Sequence, residues 1–130
     1  MGYKSISHFM SNNVLTANRD MLAKEAARIM LEMEIHHLPI VDQEGKFVGM
    51  FSSHDAMTLF QYPGTNSNLT VEDMMSVKPL IFLGPEDEIK KAFVLFREFN
   101  ILSIPVIEDF KITGILTIHD ILKKTELAFR

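Results

Sequence analysis

The chain of 130 residues has no cysteine and no tryptophan, and only six glycines and five prolines. Without thiols there can be no disulfide, no thiolate metal site and no cysteine nucleophile, and a chain this small must then rely on a hydrophobic core or on oligomerisation. The reducing cytoplasm is the expected compartment. An excess of positive charge is also lacking: the net charge is −4, so no global field attracts phosphate polymers and nucleic-acid binding is not expected. Apolar runs such as residues 80–83 and 112–118 fall far short of the roughly 18 residues of a membrane span, which predicts a soluble protein with no membrane partner. Residues 1–8 lack the apolar stretch of a secretory signal, and Ile6 stands where a myristoylation signal needs Ser or Thr. What is present is 47% hydrophobic residues against 23% charged, enough to bury a core in one ordinary domain or two very small ones.

The strongest positive signal is an internal repeat. Gly49-Met50-Phe51-Ser52-Ser53-His54-Asp55 aligns with Gly114-Ile115-Leu116-Thr117-Ile118-His119-Asp120 at a displacement of 65. Upstream, Ile35-His36-His37-Leu38-Pro39-Ile40-Val41 aligns with Ile101-Leu102-Ser103-Ile104-Pro105-Val106-Ile107 at 66, the difference being a shorter turn in the second copy. Further back, Phe9-Met10-Ser11 matches Met74-Met75-Ser76 at 65 again. The sequence thus divides into a first repeat at 1–62, a linker at 63–69 and a second repeat at 70–130. The turn formers at 62–68 predict a hinge.

Within each copy, periodicity predicts one amphipathic helix: Leu22, Ala26, Ile29, Met30 and Met33 in the first, Ile89, Ala92, Phe93, Phe96 and Phe99 in the second. A hairpin follows each, 38–41 with 46–52 and 104–107 with 111–117. A strand should precede each helix, at Val14-Leu15-Thr16 and at residues 80–83. A last helix should start at Asp55 or Asp120, with Asp as a favoured N-cap. The predicted class is α+β, two tandem pseudo-symmetric βαββα repeats. One such unit is marginal alone, so the two should pack through their sheets. Nine methionines and ten phenylalanines suit that packing.

The Ser/Thr-x-x-Asp element carries the chemistry. A strand ending at Ser52 or Thr117 and a helix starting at the Asp should bring a hydroxyl, a carboxylate and the free amides of a first helical turn to one spot. A carboxylate accepts two hydrogen bonds side by side and so suits the vicinal diol of a ribose. The hydroxyl and amides can then donate to a phosphate. The plainer reading is that Asp55 and Asp120 only cap their helices. His36 and His37 on an extended segment point to opposite faces with no carboxylate at ligand spacing, so no metal site is expected. His54-Asp55 and His119-Asp120 prepare no nucleophile, and no Gly-rich phosphate loop is present, so no enzyme is expected either.

With its doubled hydrophobic-Pro-hydrophobic steps, Leu38-Pro39-Ile40 and Ile104-Pro105-Val106, and its doubled Gly-x-x-Ser/Thr-x-x-Asp elements, the chain resembles the CBS domain pair, or Bateman module, over nearly its whole length. The resemblance implies a cleft between the repeats with two sites for adenosine ligands, and frequent pairing of modules. It implies nucleotide-binding roles for Thr16, His36, His37, Ser52 and Asp55, and for Leu80, Ile81, Ser103, Thr117 and Asp120. In relatives that bind nucleotides a basic pair before the Pro step reaches phosphates, often with Arg second. Here the first copy has His36-His37 and the second the uncharged Leu102-Ser103, so a phosphorylated ligand should prefer the first site. The expected function is a stand-alone regulatory module taking AMP or ADP, possibly ATP, as regulatory ligand, with no required cofactor, as a homodimer acting on an unidentified regulated protein. The alternative is a dimerisation scaffold of the same fold with degenerate clefts.

Overall fold

The computed structural model describes residues 4–61, 68–77 and 80–126. In chain order its elements are α1 (Ile6–Phe9), β1 (Ala17–Asn18), α2 (Ala23–Met33), β2 (His37–Val41), β3 (Phe47–Ser52), α3 (Ser53–Gln61), α4 (Val71–Met74), α5 (Ile89–Phe99), β4 (Ser103–Glu108), β5 (Lys111–Thr117) and α6 (Ile118–Glu126). The predicted helices and hairpins form where the periodicity puts them. In each hairpin the strands pair antiparallel, His37 opposite Ser52 and Ser103 opposite Thr117. Both hairpins shift register at equivalent places, Ile40/Val41 and Val106/Ile107, so the repeat extends to a backbone irregularity. Both long helices end on a left-handed residue, Glu34 and Asn100. The predicted hinge falls outside the described residues except for Asn68, an exposed turn residue.

The chain folds as two compact units, one formed by residues 15–80 and the other by 1–14 together with 81–130. These units cut across the sequence copies, because the leading segment of each copy packs in the unit built by the other. In the first unit α4 contributes Val71, fully buried with Leu38, Ile40, Phe51, Ala23 and Ala26. In the second, α1 contributes Ile6 and Phe9 to a core with Leu83, Ala92, Phe96, Ile104, Val106 and Leu116. Full burial of each leading aliphatic residue is worth about 1.5–3 kcal/mol. The leaders also add a backbone bridge to each hairpin, Ser76 to Met50 and Ser11 to Ile115. Two glycines make room for them: a Cβ on Gly114 would stand 2.8 Å from both Met10 Sδ and the Ser11 carbonyl oxygen, and one on Gly49 would meet the Met75 side chain.

Three expectations need correction. The strand expected at Val14-Leu15-Thr16 lies further on, as the two residues of β1, with Ala17 parallel to Ile40 and Asn18 to Val41. Ala17 is the residue that fits against the core, while Leu15 and Thr16 are exposed. The strand expected at 80–83 shrinks to a single bridge, Leu83 with Val106, flanked by hydrogen bonds from Leu83 N to Pro105 O and Ile107 N to Leu83 O. Gly84-Pro85 follows at once, and proline has no amide to continue a ladder. The last helices begin at Ser53 and Ile118. Asp55 and Asp120 therefore sit inside the first turn, and the residues in the N-cap place are Ser52 and Thr117.

Candidate functional site

Each unit carries the same small constellation where its hairpin hands over to its last helix. In the first, Asp55 Oδ2 accepts from Ser52 N at 2.8 Å and from the Ser52 hydroxyl at 3.0 Å, while Asp55 N donates back to Ser52 Oγ at 3.2 Å. In the second, Asp120 Oδ2 accepts from Thr117 N at 3.0 Å and Asp120 N donates to Thr117 Oγ1 at 3.0 Å. This is the reciprocal capping box, with the acid three residues after the hydroxyl so that each satisfies the other's orphan amide. The arrangement explains why Ser/Thr-x-x-Asp recurs, and it leaves the other carboxylate oxygen of each Asp without a donor among the described residues.

The expected cradle of free amides is smaller than the sequence suggests. Ser53 N donates to the His36 carbonyl at 2.9 Å and Ile118 N to the Leu102 carbonyl at 3.2 Å, so the strand before the proline step caps the helix too. With the capping boxes taking Asp55 N and Asp120 N, the amides of His54 and His119 are what the first turns can still offer. The Ser52 hydroxyl proton is committed to Asp55, whereas no acceptor among the described residues is bonded to that of Thr117.

The residues before the prolines differ as their sequences do. His37 lies half-buried opposite Ser52. Burial lowers its pKa from the usual histidine range, His36 lowers it further, and Asp55 opposes them. His37, Ser52 and Asp55 are thus together, with Thr16 exposed one residue before β1. His36 is elsewhere: with Lys24, Arg28, Leu31, Met57 and Phe60 it lines a groove of about 660 Å³ between α2 and α3. In the second unit Ser103 lies opposite Thr117 in the place of His37, 7% exposed, and its hydroxyl has no hydrogen-bond partner among the described residues. Ser103 is legible in the sequence as a site residue, whereas the burial of its hydroxyl is not. Leu80 and Ile81 do not form the expected strand, and Ile81 packs against the second unit's core. His54 and His119 are exposed. No three His, Asp or Glu side chains cluster as a metal site among the described residues. No helix among them is long and apolar enough to cross a membrane.

Two tandem units of mixed helix and strand, each closing on a Ser/Thr-x-x-Asp box behind a hydrophobic-Pro-hydrophobic strand, define a duplicated α+β fold. The profile of the CBS domain matches residues 6–62 and 71–126, and the chain belongs to that family. The chain is 31% identical over 118 residues to the L-aspartate semialdehyde sulfurtransferase of Methanocaldococcus jannaschii, covering 89% of this chain and 22% of that protein. It is 32% identical over 113 residues to the inosine-5'-monophosphate dehydrogenase of Aquifex aeolicus, covering 86% and 22%. The chain thus spans under a quarter of the length of these relatives. Among solved structures, the CBS domain pair of protein MJ0100 in complex with 5'-methylthioadenosine and S-adenosyl-L-methionine superposes with a TM-score of 0.82 at 27% identity, covering 97% of this chain and 98% of that one. CBSX2, solved in complex with AMP, shares the fold with a TM-score of 0.84 at 22% identity, covering 97% and 98%.

Proposed function

We propose that this CBS pair is a regulatory, non-catalytic module that binds an adenine nucleotide, AMP or ADP and secondarily ATP, and passes occupancy on to a regulated protein through a change of shape or pairing. The observation that carries this reading is the duplicated capping box. Each box fixes a carboxylate by one oxygen and leaves the other free to accept from a ribose hydroxyl. The MJ0100 pair, solved with two adenosine derivatives, supports the ligand class. His37 beside Ser52 and Asp55 gives the first unit a group that becomes a cation when a phosphate arrives.

The test is calorimetry with AMP, ADP, ATP, NAD and S-adenosylmethionine on the unaltered chain and on Asp55→Ala and Asp120→Ala. Each substitution should abolish binding at its own unit, since a ribose loses charge-assisted hydrogen bonds worth roughly 1.5–3 kcal/mol each. Folding should survive, because a lost cap costs only about 1 kcal/mol. Unchanged affinity in the double variant makes the carboxylates caps alone. Absence of binding by any of the five compounds leaves the scaffold reading in place of the sensor.

A further inference from the structure

We propose that Met10 and Met75 are paired oxidation sites, at which a hydroperoxide converts the thioether to the sulfoxide and so unlatches each leader from the hairpin it packs on. Such a switch acts whatever the capping boxes bind. The chain has nine methionines and no cysteine, so the thioether is the sulfur group it offers to an oxidant. Two of the nine occupy equivalent places. Met75 lies on Gly49 so closely that a Cβ built on that glycine would stand 2.5 Å from Met75 Sδ, 3.0 Å from Cγ and 3.1 Å from Cε. A point that near to the sulfur and to both its carbons lies over one face of the thioether, so the glycine covers that face. Met10 lies on Gly114 in the same manner, the corresponding distances being 2.8 Å to Sδ and 3.2 Å to Cγ. The two methionines stand at the displacement of 65 that also separates the two glycines, although each methionine belongs to one copy and its glycine to the other. Both methionines are half-buried, and each packs against the core of its unit.

Beside each of these contacts the leader exchanges two backbone hydrogen bonds with the hairpin. In the first unit Met50 N donates to Ser76 O at 3.0 Å and Ser76 N to Met50 O at 2.9 Å. In the second, Ser11 N donates to Ile115 O and Ile115 N to Ser11 O, both at 2.9 Å. The serine in each bridge follows its methionine directly, and the strand it grips is the one that runs into a capping box, β3 to Ser52 and β5 to Thr117. In the oxidation the O–O bond of the peroxide breaks and one oxygen atom bonds to the sulfur, which is thereby oxidised by two electrons; hydrogen peroxide leaves as water. On the glycine face there is no room for that oxygen. On the other face it turns an apolar contact with the core into a strong dipole, which is drawn to water. Either way the thioether leaves its glycine and the neighbouring bridge opens. Reduction of the sulfoxide by methionine sulfoxide reductases makes the change reversible.

The experiment treats the folded chain with hydrogen peroxide and follows oxygen uptake at each methionine by peptide mass spectrometry, together with hydrogen exchange at the four bridge amides. Met33 and Met57, 56% and 62% exposed, should be oxidised first and leave those amides protected. Oxidation of Met75 should then speed exchange at Met50 and Ser76, and oxidation of Met10 that at Ser11 and Ile115, by about tenfold, the factor that one net hydrogen bond represents. Met75→Leu and Met10→Leu conserve volume and should each keep the bridge of their own unit protected under the same peroxide. A methionine sulfoxide reductase should restore protection to the oxidised unaltered chain. If Met10 and Met75 resist peroxide until urea unfolds the chain, or if their sulfoxides leave the four amides as protected as before, the switch is wrong. Both of these outcomes are read on the unaltered chain and decide the matter even where a leucine variant does not fold.

Discussion

His37 is the residue whose chemistry the surroundings alter most directly. Its pKa is held below the ordinary histidine value of about 6.5 by burial and then by His36, with Asp55 opposing. In the free protein the folded state therefore binds fewer protons than the unfolded one, so this histidine's contribution to stability is complete above about pH 6.5 and is lost as pH falls below it. A phosphate held by the first unit favours the cation and reverses the preference, so binding takes up a proton. AMP affinity should rise as pH falls from about 8 to about 6, and His37→Ala should flatten the slope. Adenosine, titrated in parallel, should show no such rise, since it carries no phosphate for the histidine to answer. A slope that survives in His37→Ala rejects the role. The glycines beneath the leaders make a second residue-scale test. Gly114→Ala meets the backbone carbonyl of Ser11, which cannot move aside without breaking its bridge, and should lose about 1–3 kcal/mol in urea melts. Gly49→Ala meets only the flexible Met75 side chain and should lose less.

At the scale of elements the two hairpins solve one problem in different ways. In the first, Asp42 Oδ1 accepts from Glu44 N at 2.8 Å and Lys46 N at 2.9 Å, and Gly45 takes the positive φ. The shorter second turn places both Asp109 and Phe110 in the left-handed region, with Phe110 74% exposed. Such two-residue turns favour Asp-Gly, since a bulky side chain with positive φ costs roughly 1–2 kcal/mol. Phe110→Gly should therefore raise stability by about 0.5–1 kcal/mol, the strain released less the chain freedom that glycine gives up. A lower urea midpoint in that variant means that the aromatic ring's packing outweighs the backbone strain. The box elements are also local. Thr70 N donates to Asp73 Oδ2 at 2.8 Å at the start of α4, so the same hydroxyl-x-x-Asp pattern that closes both hairpins recurs at a third helix. The pattern by itself thus marks a helix start; its position behind the hydrophobic-Pro strand is what makes it a candidate site.

For the whole molecule the main question is what covers the α2–α3 face. Leu31 and Phe60 are 80% and 75% exposed and line the groove with Met57, which is more than half exposed, as is Met33 near the end of α2. Leu31 lies outside the α2 stripe read from periodicity, and of that stripe only Met33 is exposed. Lys24 lies in the first turn of α2, where Glu25 pairs with Arg28, and Glu32 and Glu34 lie at its end, so two copies of α2 crossing antiparallel would set Lys24 of one against the acidic end of the other in a self-complementary contact. Light scattering should give about twice the 14.9 kDa of one chain, and Leu31→Glu with Phe60→Glu should return it to one. A concentration-independent mass of a single chain in the unaltered protein rejects pairing.

The sequence by itself determined what is local or periodic. The repeat, both long helices, both hairpins and the hydroxyl-x-x-Asp boxes depend on residues within a few positions of one another, and spacing records them directly. The difference between His36-His37 and Leu102-Ser103 was equally legible, because it is a difference of residue type. Tertiary structure decided which partner each segment found. Ile6 and Val71 enter the cores of units built by the other copy, since a four-residue leader carries no periodicity and takes its place from a glycine far along the chain. Only packing could expose Met33, Phe93 and Phe99 at the margins of the apolar stripes, reduce a four-residue apolar run to a bridge at Leu83, and bury the Ser103 hydroxyl with no partner among the described residues. Burial and hydrogen-bond satisfaction depend on what the rest of the chain brings to a residue, which its own sequence neighbourhood does not contain.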